Sequence, residues 1–145
     1  MNCIALWQPW ATLMAIGAKT CETRSWHTHT RGHILIYATK KQDLNLRKIF
    51  YSEPFYSTLF KAGYRQWDEL PFGALLSIHN LKRVIRTSQM KGITDLERAF
   101  GDYSPGRFAF EMELIKRFPE PIPFEYPIKG PSKFFEVPEV VIERE

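Results

Sequence analysis

A chain of 145 residues is most simply one domain, and it is long enough to bury most of its apolar surface. Hydrophobic residues make up 44% and aromatic residues 14% of the sequence, which excludes an intrinsically disordered chain. The formal net charge of +4 is compatible with a nucleic-acid or nucleotide partner, but it is too small to identify one.

The two cysteines, Cys3 and Cys21, form neither a disulfide framework nor a spaced metal motif, so we expect buried free thiols. The N-terminus has no basic segment ahead of an apolar run, and no apolar stretch approaches the roughly 20 residues of a membrane span. We therefore expect a cytoplasmic protein without a membrane partner, a disulfide partner, a metal or a cofactor.

The first part of the chain predicts three strands and one short helix. Residues 3–6 form an apolar run typical of a strand. Pro9 fits the first turn of a helix, which Gly17 would end. Residues 20–26 and 33–38 alternate in a strand-like way, so each segment predicts a strand.

The middle of the chain predicts helices followed by a long strand. Residues 40–63 read as helical, with a break at Pro54. A loop then carries Trp67, which we expect to be exposed. We interpret 40–72 as a helical insertion within a single domain over 1–145, followed by a strand from Gly73 to about Ile85.

The last part of the chain predicts a short helix and further strands. Thr94 fits an N-cap with Glu97 as its capping-box partner, which predicts a helix over 95–100. Residues 107–116 alternate and predict a strand. The five prolines of residues 119–131 indicate an extended or turning segment. After them, we expect a short strand or tight turn at 134–137 and a final edge strand at 138–145.

This order of elements favours an α+β fold class: a mixed β-barrel with helices packed on it. The evidence is the number of short strands, the small number of helices and the frequent turn residues. The strands do not alternate regularly with helices, which argues against a doubly wound parallel sheet.

A charged cluster follows the first helix. On a strand, side chains at i and i+2 share a face, so Glu22 and Arg24 would point the same way, with Thr20 and Trp26 beside them. Lys19 would lie in the preceding turn and reach over that face. From the residue types alone, a structural ion-pair ladder is the simpler interpretation of this cluster, and a ligand site is the alternative.

Each member of the cluster has chemistry that suits a nucleotide. Arg24 offers a planar fork to a phosphate or a carbonyl group. Lys19 suits a phosphate contact or, with a lowered pKa, a base. Glu22 suits hydrogen bonds from the amino edge of a nucleobase, or the positioning of a water molecule.

Aromatic side chains near this cluster could stack on bases. Trp7 and Trp26 are the candidates, whereas Trp10 lies on the apolar stripe of the predicted helix and is more simply a core residue. Gln8 and Pro9 would shape the entry to the cleft, with Gln8 as a possible donor to the ligand.

Weaker candidates lie further along the chain. Tyr103 and Ser104 place hydroxyl groups in the turn before the strand at 107–116, where ordinary turn chemistry is the alternative. His79 suits a general base, although a structural histidine is the default. Basic residues interleaved with aromatics are compatible with a phosphate-tracking surface and equally with any soluble surface: Lys40, Lys41, Arg47, Lys48, Lys82, Arg83, Arg86, Lys116 and Arg117.

The motifs of the first 38 residues resemble the ASCH domain of the PUA-like superfamily. They are IALWQPWA at 4–11, GAKT at 17–20, ETRSW at 22–26 and RG at 31–32. The hallmark of that family is G-x-K-x-x-E-x-R after a Q-P-[WY] helix start, and this chain matches it at Gly17, Lys19, Glu22 and Arg24. From Gly73 to Leu114 the resemblance lies only in the order of the elements: a long strand, an insert that carries a short helix, and another strand.

The resemblance implies a small PUA-like β-barrel with a cleft for RNA, a nucleotide or a modified nucleoside. Some members are amidohydrolases of an N4-acylated cytidine such as N4-acetylcytidine, and others are linked to RNA cleavage. In the amidohydrolases a threonine stands at the position of Glu22 and works with a glutamate of the later helix, which Glu97 matches by position alone. Glu22 in place of threonine departs from that pattern.

We therefore predict an RNA- or nucleotide-binding domain, with a metal-independent amidohydrolase or ribonuclease as the alternative. For the enzyme, the catalytic candidates are Lys19, Glu22 and Glu97. The predicted ligand-binding residues are Trp7, Gln8, Pro9, Lys19, Glu22, Arg24, Trp26, Tyr103 and Ser104.

Overall fold

The computed structural model describes residues 1–127 and 133–143, and within them the elements follow the predicted chain order. The strands are β1 (Asn2–Leu6), β2 (Cys21–Arg24), β3 (Gly32–Ala38), β4 (Ala74–Arg86), β5 (Phe108–Pro123) and β6 (Phe135–Glu136). The helices are α1 (Trp10–Ala15), α2 (Leu44–Phe50), α3 (Phe55–Lys61) and α4 (Asp95–Ala99), and short 3-10 turns lie at Trp67–Glu69, Thr87–Gln89 and Glu139–Val141.

All six strands belong to one mixed sheet in the order β2-β5-β4-β3-β1-β6. β1 runs parallel to β3, and the other pairs are antiparallel. A parallel pair needs a long connection, and here α1 and β2 lie within it. The α+β fold class is thereby confirmed.

The sheet curls strongly enough to bring its distant strands together. Three strands separate β2 from β1 in the sheet order. Even so, the Arg24 side chain on β2 donates from Nη2 to the carbonyl oxygen of Ala5 on β1, over 3.0 Å. The space that remains between these two strands is where the candidate site lies.

Strand β3 is buried on both faces and separates two apolar clusters. Ile34 and Ile36 pack in the cluster that also contains Ala11 and Met14 of α1. The intervening side chains point to the other face, where Leu35 and its neighbours pack with β6 and the end of β5. The predicted alternation of residues 33–38 is therefore confirmed.

Helices α2 and α3 share a third apolar cluster, which is closed by a tryptophan. Leu46, Phe50 and Leu59 face inward, and Trp67 packs on them with 0% of its surface exposed. Its indole nitrogen donates to Oε1 of Gln42 over 3.3 Å. The prediction of an exposed Trp67 is wrong, because the 3-10 turn folds this side chain onto the apolar faces of both helices.

In the last part of the chain one prediction is refined and another is wrong. The first part of the proline-rich segment is extended, one of the two predicted forms: β5 continues to Pro123, and residues 118–121 form a bulge opposite Leu76 alone. Proline is tolerated in a bulge, where no ladder N–H is required. The edge strand predicted at 138–145 is wrong over residues 138–143, which include a 3-10 turn, while 144–145 and part of the proline-rich segment lie outside the described residues.

Cys3 and Cys21 are both buried, as predicted, and burial raises the pKa of each thiol. A raised thiol pKa lowers the thiolate fraction, so neither cysteine is suited to nucleophilic chemistry. Across the part of the chain that the structure describes, no helix is both long and apolar enough to cross a membrane.

Trp67→Ala should destabilise the protein by about 3 to 5 kcal/mol, because it removes a fully buried indole and leaves a cavity between α2 and α3. Urea unfolding monitored by circular dichroism measures the change. Trp7→Ala is the matched control, since Trp7 is 49% exposed and its loss should cost less than about 1 kcal/mol. Equal losses in the two variants would contradict the assignment of Trp67 to the core.

His79 gives the fold a pH dependence of predictable sign. Its Nε2 lies 2.8 Å from Oγ of Ser77, no part of the residue is exposed, and burial lowers its pKa from 6.5 to about 4. Between those two values the unfolded chain binds a proton that the folded chain does not. Stability should therefore fall by about 3 kcal/mol as pH drops from 6.5 to 4.

His79→Gln keeps a hydrogen-bonding partner for Ser77 but does not titrate in this range. Urea midpoints measured from pH 4 to 7 should change less with pH in this variant than in the wild-type protein. Identical pH profiles for the two proteins would show that His79 is not the group responsible.

Candidate functional site

A cleft of about 770 Å³ opens between the curled sheet and the helices. Its walls come from segments that are far apart in the sequence: the end of β1, the start of α1, strand β2, the start of α3 and the turn after α4. The lining residues are Ala5, Leu6, Trp7, Trp10, Lys19, Glu22, Thr23, Arg24, Thr39, Phe55, Ala99, Phe100, Gly101, Asp102, Arg107 and Tyr126.

The turn after α1 places Lys19 beneath this cleft. Gly17 adopts a φ of 77°, a conformation that side chains disfavour, and this ends the helix. The backbone N–H of Lys19 then donates to the carbonyl of Leu13 over 3.1 Å. The Lys19 side chain is 1% exposed, and its ammonium group donates to the carbonyl oxygen of Cys21 and to Oε1 of Glu22, the latter over 3.2 Å.

Glu22 lies at the centre of the charged cluster. Its Oε1 faces Lys19, and its Oε2 accepts from Nε of Arg24 over 2.8 Å. Because both oxygens face cations, the arrangement suits a carboxylate that only accepts hydrogen bonds. The predicted proximity of Lys19, Glu22 and Arg24 is observed.

Arg24 connects the cluster to the open part of the cleft. Its Nε binds Glu22 and its Nη2 binds the carbonyl of Ala5. Within the described residues, Nη1 has no hydrogen-bond partner, and 24% of the side chain is exposed. Nη1 is therefore the Arg24 nitrogen that the contacts within the described residues leave unused.

Aromatic rings form the walls above the cluster. Trp7 is exposed at the rim, and the Lys41 ammonium group lies 3.9 Å from its ring centroid. Trp10 lies half-buried in the cleft wall, edge-on to Phe55, which in turn packs edge-on against Phe100. Such a set of rings suits a flat, apolar ligand with a polar edge.

A second ion pair, between Arg107 and Asp102, lies beside β2 and also lines the cleft. Nη2 of Arg107 donates to the carbonyl of Thr23 over 3.1 Å, and Nε donates to the carbonyl of Asp102 over 3.1 Å. The same Nε lies 3.4 Å from Oδ2 of Asp102. Hydrogen bonds from Ser104 hold the pKa of the Asp102 carboxyl group below its ordinary value.

Glu97 does not line the cleft, whereas Lys19 lines both the cleft and the second cavity that Glu97 faces. The backbone N–H of Glu97 donates to the hydroxyl of Thr94, which confirms the predicted N-cap. Its carboxylate, however, accepts from the backbone N–H and hydroxyl of Thr20 over 2.8 and 2.9 Å, and from the backbone N–H of Cys21. Glu97 lines the second cavity, of about 910 Å³, and ties α4 to the start of β2.

Gln8, Pro9 and Trp26 also lie outside the cleft lining. Gln8 is fully buried, where its amide accepts from the N–H of Thr12 and donates to that residue's hydroxyl and to a carbonyl of the loop before β4. This pattern fixes the first turn of α1. Trp26 follows the end of β2 and packs edge-on against Phe110.

Tyr103 and Ser104 lie beside the cleft and do not line it. The Tyr103 hydroxyl is buried beside the Cys21 thiol, and burial raises its pKa. The Ser104 hydroxyl donates to Asp102 over 2.6 Å. Ser104 therefore orients a residue that does line the cleft.

Of the predicted site residues, the cleft brings together Trp7, Lys19, Glu22 and Arg24. Sequence reasoning did not identify the members contributed by distant segments, namely Phe55, Phe100, Asp102, Arg107 and Tyr126. A sequence signal for these residues existed only in the turn before β5, where the candidates Tyr103 and Ser104 lie between Asp102 and Arg107.

Glu22→Gln should destabilise the protein by about 3 kcal/mol or more, because it leaves the buried Lys19 ammonium group without its carboxylate. Chemical unfolding measures the loss. Adding Lys19→Met to this variant removes the unpaired charge, so the double variant should be at least about 1 kcal/mol more stable than Glu22→Gln alone. A further, additive loss would contradict energetic coupling between the two side chains.

Comparisons with known proteins agree with these observations. The family model of the ASCH domain matches residues 4–120. A human protein (Homo sapiens) named activating signal cointegrator 1 is 29% identical over 136 residues, and a mouse protein (Mus musculus) of the same name is 27% identical over 135 residues. Each match covers 93% of this chain and 22% of the relative, so the chain spans about a fifth of the length of these relatives.

Solved structures share the fold. The crystal structure of ASCH from Zymomonas mobilis superposes with a TM-score of 0.55 at 14% identity, covering 99% of this chain and 91% of that chain. A mutant form of the same protein gives a TM-score of 0.53 at 12% identity, covering 99% and 94% of the two chains.

Proposed function

This chain belongs to the ASCH domain family, and from that premise we propose that its cleft binds RNA or a nucleotide-type ligand through a nucleobase. The observation that carries the proposal is the combination of aromatic walls with the Lys19–Glu22–Arg24 cluster beneath them. We further propose that the curled sheet is the PUA-like barrel that supports this cleft.

The chemistry of the walls and the floor fits a base. A nucleobase is flat and apolar on its faces, where Trp7 and the half-buried Trp10 offer stacking contacts worth about 1 to 3 kcal/mol per base. Its edge carries donors and acceptors. Arg24 presents an unpaired N–H to acceptors of that edge, and the Glu22 carboxylate offers lone pairs to an amino group.

The size and charge of the cleft fit a nucleotide. Its volume of about 770 Å³ falls within the 300–1,000 Å³ typical of small-ligand sites. Three cations line it, Lys19, Arg24 and Arg107, against the two carboxylates of Glu22 and Asp102. The excess of positive charge favours a ligand that carries a phosphate group.

The geometry supports binding better than hydrolysis. The Lys19 ammonium group already donates to a carbonyl and to Glu22, so it is poorly placed to accept a proton. Glu97 faces the second cavity and holds the hydroxyl of Thr20 there. The hydroxyl nearest to Lys19 in the sequence, that of Thr20, is bound by Glu97, while the Lys19 ammonium group is bound by Glu22 and the Cys21 carbonyl. We therefore expect no release of acetate from N4-acetylcytidine; turnover that Lys19→Ala abolishes would reverse this conclusion.

Binding of AMP, CMP, GMP and UMP, measured by tryptophan fluorescence and calorimetry, tests the proposal. Arg24→Ala should weaken the best ligand by about ten-fold or more, because it removes a charged hydrogen-bond donor. Trp7→Ala should weaken it by about five-fold or more through the loss of stacking. Trp7 is largely exposed, so this variant should remain folded if Arg24→Ala does not.

Arg31→Ala is the control, since Arg31 is exposed and does not line the cleft. It should bind like the wild-type protein. The proposal would be rejected if none of the four nucleotides bound at low salt, or if the two cleft variants bound as tightly as the control.

A further inference from the structure

A row of aromatic rings lies on the outer face of α2 and α3. Tyr51 is 50% exposed and Phe60 is 44% exposed, with Tyr56 half-buried between them. The ring centroids of Tyr51 and Tyr56 lie 5.8 Å apart, and those of Tyr56 and Phe60 also lie 5.8 Å apart. We call Tyr51, Tyr56 and Phe60 the aromatic row; contiguous exposed apolar surface of this kind commonly marks an interaction site.

The aromatic row is held in place by the layer beneath it. The hydroxyl of Tyr51 accepts from the backbone N–H of Trp67 over 3.1 Å, and Phe50 packs edge-on against both Tyr51 and Tyr56. The rings of the row are therefore fixed before any partner arrives, which reduces the entropy lost on binding.

The segment that carries the aromatic row is more basic than acidic. Residues 44–65 contain four cations, Arg47, Lys48, Lys61 and Arg65, and one acidic residue, Glu53, while Asp43, Asp68 and Glu69 flank the segment. Among the described residues, none of the four cations takes part in an ion pair.

One of these cations already stacks on the row. The guanidinium group of Arg65 lies 5.2 Å from the ring centroid of Phe60. A cationic surface with open aromatic faces complements a phosphate backbone with unstacked bases.

The helix that carries Tyr56 and Phe60 of the aromatic row also forms part of the cleft wall. Phe55, the first residue of α3, lines the cleft, and Tyr56 is the next residue along the helix. Phe60 lies about 7.5 Å from Phe55 along the helix axis, because an α-helix rises about 1.5 Å per residue. Tyr56 lies about 100° and Phe60 about 140° round the helix from Phe55, so a chain that leaves the cleft past Phe55 reaches the aromatic row by passing round α3.

From these observations we propose that the aromatic row binds single-stranded RNA that extends from the cleft, so that the ligand is a polynucleotide and not a free nucleotide. The inference rests on the proposed function for the base in the cleft. A single strand is favoured over a duplex because a duplex hides the faces of its bases, whereas open aromatic rings require them.

The test compares a fluorescently labelled oligouridylate of about twelve nucleotides, long enough to pass from the cleft over several stacking positions, with UMP. Phe60→Ala should lower affinity for the oligonucleotide by about five-fold or more, through one lost stacking contact, and leave UMP binding unchanged. Ile115→Ala, which removes a side chain of similar exposure (48%) on β5, is the matched control and should alter neither affinity.

A second variant tests the charge contribution separately. Arg47→Ala combined with Lys48→Ala should reduce the slope of log K against log salt for the oligonucleotide by about 1.4, since each phosphate contact on a single strand contributes about 0.7. Lys91→Ala, which removes a cation next to the second cavity, should leave the slope unchanged. Thermal unfolding midpoints should show that these surface variants remain folded.

The outcomes separate the two proposals. If Phe60→Ala and the double variant bind the oligonucleotide like wild-type protein, the aromatic row is not an RNA path, and a protein partner would fit it better. If the row variants weaken oligonucleotide binding while Arg24→Ala and Trp7→Ala change neither ligand, the row is supported and the role of the cleft is rejected. Loss of UMP binding in the row variants would also contradict a separate surface.

Discussion

The position of the Glu22 carboxylate between Lys19 and Arg24 is the constraint on which the cleft depends. A buried ammonium group is costly unless it is paired and hydrogen-bonded, and Lys19 is almost fully buried. Its bonds to Glu22 and to the Cys21 carbonyl therefore fix the turn after α1 against the start of β2. Arg24 extends the same network to Ala5 on β1. One chain of polar contacts thus holds together the strands between which the cleft opens.

This architectural role narrows what the cluster can do for a ligand. Part of its hydrogen-bonding capacity is used within the protein, so what remains for a ligand is Nη1 and one N–H of Nη2 on Arg24, the remaining lone pairs of Glu22 and the field of three cations. Groups that are fixed in this way are well suited to recognition, because little reorganisation accompanies binding. They are poorly suited to proton transfer, which requires a side chain that is free to change its partners. The contacts that fix the cluster are therefore also the reason to propose binding and not hydrolysis.

The sequence predicted the local features of this site and missed those that depend on packing. The spacing of Glu22 and Arg24, the stop at Gly17 and the N-cap at Thr94 are properties of short segments, and all three appear as expected. The alternation of residues 20–26 predicted a strand that includes Trp26, but β2 ends at Arg24. Glu97 binds backbone groups 77 and 76 residues away, and no pattern near it indicates that contact.

Helix α3 connects the inner and outer surfaces of the proposed interface. Its first residue, Phe55, faces the cleft and packs between Trp10 and Phe100. Phe60, five positions later, faces outward, because five residues turn an α-helix by about 140° beyond one full revolution. The segment predicted as an insertion is thus a wall of the cleft as well as a covering layer. A helix that holds both surfaces in fixed register gives a single strand a defined path from a bound base to a basic, aromatic surface, which is the physical reason to expect a polynucleotide ligand.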